Sequence, residues 1–217
     1  NQVGTYKLVA SPFHLDVRGK LSMGVLGKHL LNCADAYAAE RGFDVVEQGG
    51  EHYTWVLSRL AIELEDLPSC HESFSIQTWV ENVYRLFADR NFVICNKDEK
   101  PIGYVRSVWA MISMETRNPA NLLDLHGDRI TNSICEKECP IAKPGRIKVS
   151  QQEAVSEYVA KYSDLDINGH VNSIKYIEHI LDIFPLNTYK KKALKRFEIA
   201  YVAESYYGDA LSFYVEE

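Results

Sequence analysis

Two short segments of this chain repeat each other, and the repeat limits the folds that the chain can adopt. Residues 15–21 read Leu-Asp-Val-Arg-Gly-Lys-Leu and residues 165–171 read Leu-Asp-Ile-Asn-Gly-His-Val, so the two align without a gap. Further along, the alternating apolar residues at 60–64 align with those at 197–201 if the second copy has a shorter loop. A repeat at this spacing predicts a duplicated fold within one chain.

The first copy begins with an alternating run at 5–16, which predicts a strand. From Leu26 the apolar residues recur at helical spacing, and this predicts a long amphipathic helix that ends near Gly42. After Gly49 the pattern changes to four strand-like runs, the last of which ends near Met114.

The second copy repeats this order in a shorter form. A short strand is predicted at 158–161, a helix from Val171 to Pro185, and two strands on either side of Gly208. A long helix beside antiparallel strands in both copies predicts an α+β fold of two tandem domains. Each domain then consists of a long helix packed against a curved antiparallel sheet.

The domain boundaries follow from a change in composition. Residues 118–150 are rich in proline and mixed charge, so we expect a linker there, between domains at 1–117 and 151–217. The second copy stops at Glu217, two strands past its helix. Because so small a sheet would cover the helix poorly, we expect the last strands of that domain to be missing from the chain.

The bulk properties exclude several classes of function. The chain has 217 residues and a net charge of −6, which disfavours a nucleic-acid partner. No apolar run approaches the ~20 residues of a membrane span, and the N-terminus lacks a signal-peptide pattern. The five scattered cysteines predict free thiols in a cytosol-like compartment. Cys135 and Cys139 form a CxxxC pair without a histidine nearby, which disfavours a metal site there. We expect no metal and no cofactor.

The differences between the two copies point to chemistry. Where the second copy has Asn168 and His170, the first has Arg18 and Lys20. Because the fold forms without the amide and the imidazole, these two side chains are candidates for catalysis.

The same comparison singles out two carboxylates. Glu204 aligns with Leu67, so it too is a candidate for catalysis. Asp166 aligns with Asp16, so part of its role is expected to be structural. A polar loop before a helix also presents free backbone N–H groups, which can stabilise an oxyanion.

The chain resembles the acyl-acyl carrier protein (acyl-ACP) thioesterases of plants and bacteria over nearly its whole length. The resemblance rests on Trp-Val-Leu-Ser-Arg-Leu at 55–60, Gln-Thr-Trp-Val-Glu at 77–81, Ser-Val-Trp-Ala-Met at 107–111, Thr-Arg at 116–117 and the segment 164–177. It implies two tandem hotdog domains, the first selecting the acyl chain and the second hydrolysing the thioester. It also implies acyl carrier protein as the partner, and a location in the bacterial cytoplasm or, for a plant protein, the plastid stroma. The sequence leaves open whether the chain forms a homodimer.

The family's catalytic set maps onto Asp166, Asn168, His170 and Glu204. Many plant members have a Glu-Cys pair at the last position, whereas this chain has Glu204 followed by Ser205, which excludes a cysteine nucleophile there. Glu204 is predicted to activate a water molecule, and direct attack by Glu204 or Asp166 through an acyl-enzyme is the alternative. Asn168 would hold the water or the thioester oxygen, and His170 would orient Asn168 or protonate the leaving thiolate.

Two sets of residues are predicted to bind the substrate. The acyl tunnel is expected to include Met23, Leu26, Leu30, Trp55 and Trp79. The acidic carrier protein is expected to dock on a basic cluster formed by Lys190, Lys191, Lys192, Lys195 and Arg196, with Arg146 and Lys148 as additions. An acyl-CoA thioesterase, or a hotdog protein that binds acyl thioesters without hydrolysing them, are the alternatives.

Overall fold

The computed structural model describes residues 2–147 and 153–216. In chain order its helices and strands are β1 (Gly4–Val9), α1 (Met23–Glu40), β2 (Val46–Gln48), β3 (Glu51–Leu64), β4 (Ser73–Val83), β5 (Ala88–Cys95), β6 (Pro101–Ser113), α2 (Leu122–His126), α3 (Asp128–Thr131), β7 (Ser156–Val159), α4 (Ser173–Asp182), α5 (Leu186–Lys191), β8 (Arg196–Ala200) and β9 (Ala210–Phe213). The predicted α+β class is confirmed. The first predicted strand, however, ends at Val9, and residues 12–14 form a 3₁₀ turn.

Helix α1 begins and ends where the sequence signals lie. The Ser22 hydroxyl accepts a hydrogen bond from the Val25 N–H, which caps the first turn. Gly42 follows the last turn with φ of +68°, a left-handed conformation that glycine adopts without strain. The helix is amphipathic, and its buried face packs on the sheet.

Among the described residues, seven strands form one antiparallel sheet. Six of them run in the order β1-β4-β5-β6-β3-β2. The seventh, β8 of the second copy, pairs with the end of β3, from Arg59 opposite Ala200 to Glu63 opposite Arg196. Strands β7 and β9 form a separate two-stranded sheet. The predicted boundaries at 117 and 150 stay a prediction, but the two copies share backbone hydrogen bonds, because β8 of the second copy belongs to the sheet of the first.

The two copies also share one hydrophobic core. Leu26 and Leu30 of α1 lie in the same buried cluster as Ile174 and Ile177 of α4, together with Ile199 of β8. Helices α1 and α4 approach closely because α1 presents glycines to α4. A Cβ atom at Gly27 would lie 2.6 Å from Cδ1 of Ile174.

The predicted linker covers the outer face of the sheet. Trp79 is fully buried there with Val93, Cys95, Cys139 and Ile141, and its indole N–H donates to the Lys137 carbonyl at 2.8 Å. All five cysteines carry free thiols. No helix within residues 2–147 and 153–216 is long and apolar enough to span a membrane.

Candidate active site

The repeated loop has the same backbone hydrogen bonds in both copies. Asp166 Oδ1 accepts from the backbone N–H groups of Asn168, at 2.8 Å, and His170, at 3.1 Å. Asp16 Oδ1 accepts in the same way from the N–H groups of Arg18 and Lys20. The Asp166 carboxylate therefore holds the loop in shape, as Asp16 does in the first copy, where Arg18 and Lys20 replace Asn168 and His170.

The loop leads directly into helix α4, and its amides define where an oxyanion could bind. The Val171 N–H donates to the Ser205 carbonyl and the Asn172 N–H to the Asp164 carbonyl, each at 2.8 Å. The Asn172 side chain caps the helix by accepting from the Ile174 N–H at 2.9 Å. In the described part of the chain, the Ser173 N–H has no such acceptor. Ser173 also lines the cavity described below, so its amide stays a candidate for the expected oxyanion hole.

The buried carboxylate of Asp164, which precedes the loop, is held by several polar contacts. Asp164 accepts hydrogen bonds from the Tyr158 hydroxyl, at 2.8 Å, and the Lys161 N–H, at 2.7 Å, and it faces His179 Nε2 at 3.0 Å. Burial opposes ionisation of Asp164, but these hydrogen bonds together outweigh it and lower its pKa. The loop 165–171 is thus anchored at its start by an ionised carboxylate.

Backbone hydrogen bonds to both copies hold the segment after β8, and they bring Glu204 close to the loop. The Tyr201 N–H donates to the Ser58 carbonyl of β3 at 2.9 Å, and the Ser205 carbonyl accepts from the Val171 N–H of the loop at 2.8 Å. Glu204 Oε2 then lies 3.5 Å from His170 Nε2. Glu204 Oε1 contacts the guanidinium of Arg117, which comes from the first copy.

These side chains surround one end of a cavity of about 440 Å³. Asp166, Asn168, His170 and Glu204 line this mouth. The Asn168 side chain has no partner among the residues that the structure describes, so its amide is available to a substrate or a water molecule. The predicted catalytic set is therefore brought together at one place, although no observation assigns a role to any of its members.

The inner part of the cavity lies between α1 and the sheet. Its walls include Leu31, Ala34, Ala38, Phe43, Val80, Ala88 and Ile130. Arg90 also lines it, and its buried guanidinium donates to Thr78 Oγ1 at 3.2 Å and lies over the Tyr37 ring at 4.5 Å. Burial lowers the pKa of Arg90 to about 10, so it stays charged near neutral pH. Arg90 thus places a cationic side chain in the wall of the cavity.

The five residues predicted to form the tunnel lie in different places. Trp55 lines the cavity, with its indole N–H donating to the Phe43 carbonyl at 2.8 Å. Met23, Leu26 and Leu30 are buried in the shared core and do not line the cavity. Trp79 lies on the opposite face of the sheet. A role in binding the acyl chain stays a prediction for Met23, Leu26, Leu30 and Trp79, and their positions outside the cavity wall do not support it.

Not all members of the predicted basic cluster remain available to bind an acidic partner. Lys190, Lys191 and Lys192 are exposed at the end of α5. Arg196 instead pairs with Glu63 and Glu198, which neutralise it. Lys195 is exposed, with its ammonium 3.5 Å from the Glu65 carbonyl, Arg146 is exposed in the linker, and Lys148 lies outside the described residues.

Sequence reasoning missed two residues at the mouth. Arg117 belongs to the Thr-Arg motif at 116–117, but no signal in the sequence connected it with Glu204. Tyr201 lines the cavity and its hydroxyl donates to the Ser173 carbonyl at 2.8 Å, while burial raises its pKa well above the usual value. The described residues hold no group of three or more His, Cys, Asp and Glu side chains that could bind a metal ion.

Comparison with known proteins gives a consistent result for both copies. The family model of the acyl-ACP thioesterase N-terminal domain matches residues 6–127, and that of the C-terminal domain matches residues 147–217. An acyl-ACP thioesterase from Bacteroides thetaiotaomicron is 61% identical, with a TM-score of 0.91 over 97% of this chain and 85% of that one.

More distant relatives agree. The 12:0-ACP thioesterase of Umbellularia californica is 16% identical with a TM-score of 0.79 over 96% of this chain and 80% of that one, which shows the fold alone. The chloroplastic palmitoyl-acyl carrier protein thioesterase of Arabidopsis thaliana is 26% identical over 157 residues, which are 69% of this chain. The chain spans only about two fifths of the length of that relative and of its counterpart from Gossypium hirsutum, 38% and 44% respectively.

Proposed function

This chain belongs to the acyl-ACP thioesterase family, and on that premise we propose that it hydrolyses the thioester of an acyl-acyl carrier protein and releases a free fatty acid. The observation that carries the proposal is the convergence of Glu204, His170 and Asn168 at the mouth of a largely apolar cavity. Such a cavity suits an acyl chain, and the polar mouth suits the thioester at its end.

We propose a water-activated mechanism. Glu204 takes a proton from a water molecule, and the hydroxide formed attacks the thioester carbonyl carbon. Donation from the Ser173 N–H and the Asn168 amide, both from residues that line the cavity, would stabilise the developing oxyanion. When the C–S bond breaks, the thiolate takes a proton from His170 or from the protonated Glu204.

The alternative mechanism is direct attack by the Glu204 or Asp166 carboxylate, giving an acyl-enzyme anhydride that water then opens. A single turnover in oxygen-18 water distinguishes the two. In the water route the label enters only the fatty acid, whereas label in an enzyme carboxylate would reject that route.

Replacement of the proposed base tests the assignment. We expect Glu204→Gln to lower kcat by about two to four orders of magnitude, because the amide cannot accept the proton from water. Turnover of an acyl-ACP, followed by release of free acid, measures the effect. Glu136→Gln, which removes an exposed carboxylate from the linker, is the matched control and should keep full activity. Full turnover by Glu204→Gln would reject this site.

A second experiment tests whether the substrate is carried by acyl carrier protein or by CoA, independently of the hydrolysis mechanism. With one acyl chain presented on acyl carrier protein and on CoA, we expect a higher kcat/KM for the carrier-bound form. Equal or higher kcat/KM for the CoA form would favour an acyl-CoA thioesterase. Tight binding of acyl-ACP without hydrolysis would favour a non-catalytic protein. The free thiols suit a reducing location, which we propose is the bacterial cytoplasm or, for a plant protein, the plastid stroma.

A further inference from the structure

The two oxygens of the Glu204 carboxylate are held by different halves of the chain. Oε2 faces His170, from the loop of the second copy, and Oε1 contacts Arg117, from the turn after β6 of the first copy. We propose that Arg117 is a positioning residue that aims Glu204 at the attacking water. This inference rests on the proposed function and extends it to a residue outside the predicted catalytic set.

The backbone at Arg117 supports the inference. Arg117 has φ of +61°, in the left-handed region that glycine occupies easily and that costs energy for a residue with a Cβ atom. The turn is held by the Arg117 N–H donating to the Ser113 carbonyl, at 2.9 Å, and by the Thr116 N–H donating to Ser113 Oγ, at 3.1 Å. Glycine would satisfy this turn at lower cost, so the turn itself does not require the arginine side chain.

The surroundings of the pair show that stability is not its main effect. The Arg117 and Glu204 side chains are 38% and 35% exposed. Ion pairs with this much solvent contact contribute little to folding because water screens them and because two long side chains must be ordered. A planar guanidinium nevertheless fixes the direction of a carboxylate better than an ammonium can. The contact is therefore suited to orientation.

The position of Arg117 also indicates that it orients Glu204 and does not bind the acyl chain. Arg117 and Glu204 line the cavity and are partly exposed, whereas Phe43 and Val80, which line the same cavity, are fully buried. A group that only orients the base affects the rate of the chemical step more than the binding of the acyl chain. Loss of the guanidinium should therefore lower kcat and leave KM nearly unchanged.

Arg117→Gly is the sharpest test because it removes the side chain and suits the left-handed backbone. We expect kcat on an acyl-ACP to fall by about a hundredfold, as for other small misplacements of a catalytic group, with KM nearly unchanged. The melting temperature should be unchanged or higher, since glycine relieves the strain at this position.

Chemical rescue distinguishes orientation from a structural role. Guanidinium ion, at concentrations far below those that unfold proteins, should restore part of the kcat of Arg117→Gly. It should not restore Glu204→Gln, which lacks the carboxylate itself. Arg117→Lys should show an intermediate kcat. Arg85→Gly, in the exposed turn between β4 and β5, is the control for loss of a surface arginine and should keep full kcat.

Three results would overturn the inference. They are full kcat in Arg117→Gly, a rise in KM with kcat unchanged, and a loss of activity that accompanies a lower melting temperature and resists guanidinium. Failure of the wild-type protein to hydrolyse any acyl-ACP would instead reject the proposed function. The two proposals thus fail in different experiments.

Discussion

At the scale of single residues, the repeat separates the structural role of a carboxylate from its chemical role. Asp16 and Asp166 accept the same two backbone N–H groups in equivalent loops, but only Asp166 lies in the cavity wall. Asp16 also pairs with the Arg18 side chain. Asp16 is therefore an internal control for the loop-holding role of Asp166, and its substitution removes the pair with Arg18 as well.

We predict that Asp166→Ala and Asp16→Ala each destabilise the protein by about 1 kcal/mol, because each leaves two loop N–H groups without their acceptor. Thermal or urea unfolding measures this effect. Turnover should fall sharply only for Asp166→Ala, whose loop carries Asn168 and His170. If Asp16→Ala lowered turnover as much as Asp166→Ala, the loss would reflect stability and not the site.

At the scale of elements, the contact between α1 and α4 brings the loop of the second copy against the first copy. The two helices are antiparallel in this contact, since Gly24 lies against Glu178 and Gly27 against Ile174. A Cβ at Gly24 would meet the end of a flexible side chain, at 2.2 Å from Glu178 Oε1, which can move away. A Cβ at Gly27 would meet Ile174, which is buried and cannot move freely.

We predict that Gly27→Ala destabilises the protein by about 1–3 kcal/mol through overpacking, although the same change in an exposed helix is favourable. Gly24→Ala should be close to neutral and is the matched control. Adding Ile174→Val, which removes the clashing Cδ1 atom, should recover part of the loss, and a double-mutant cycle of unfolding free energies measures it. Additive effects of the two changes would show that this helix contact does not control stability.

At the scale of the whole molecule, the charge distribution bears on carrier recognition. The net charge is −6, so an acidic carrier protein needs a local basic surface. Arg196 is neutralised by two glutamates, and the exposed Lys195 has its ammonium 3.5 Å from the Glu65 carbonyl. The other exposed members of the predicted cluster are the three lysines at the end of α5, Lys190, Lys191 and Lys192.

We predict that changing these three lysines together to glutamate raises KM for acyl-ACP by about tenfold at low salt and leaves a small acyl thioester unaffected, because surface charges act on association. The control converts Lys7, Lys28 and Lys97, which are also exposed, and changes the net charge equally. An equal rise in KM for both variants, or for both substrates, would count against docking at α5.

What the sequence determined by itself is local. The repeat predicted a duplicated α+β fold, the helical spacing predicted α1 and α4, and the difference between the two copies selected Asn168, His170 and Glu204 as candidates for catalysis. The α+β class and the two helices are confirmed, because hydrophobic spacing depends on residues close together in the chain, whereas the catalytic roles stay predictions.

Only the tertiary structure decided which distant residues meet. The alternation in β4 is visible in the sequence, but whether Trp79 faces the cavity or the linker depends on which face of the sheet each neighbour covers. Likewise, the pairing of β8 with β3 and the position of the turn at Arg117 bring a first-copy guanidinium to a second-copy carboxylate. Such contacts depend on strand order and register, which arise from the packing of the whole chain and leave no local pattern.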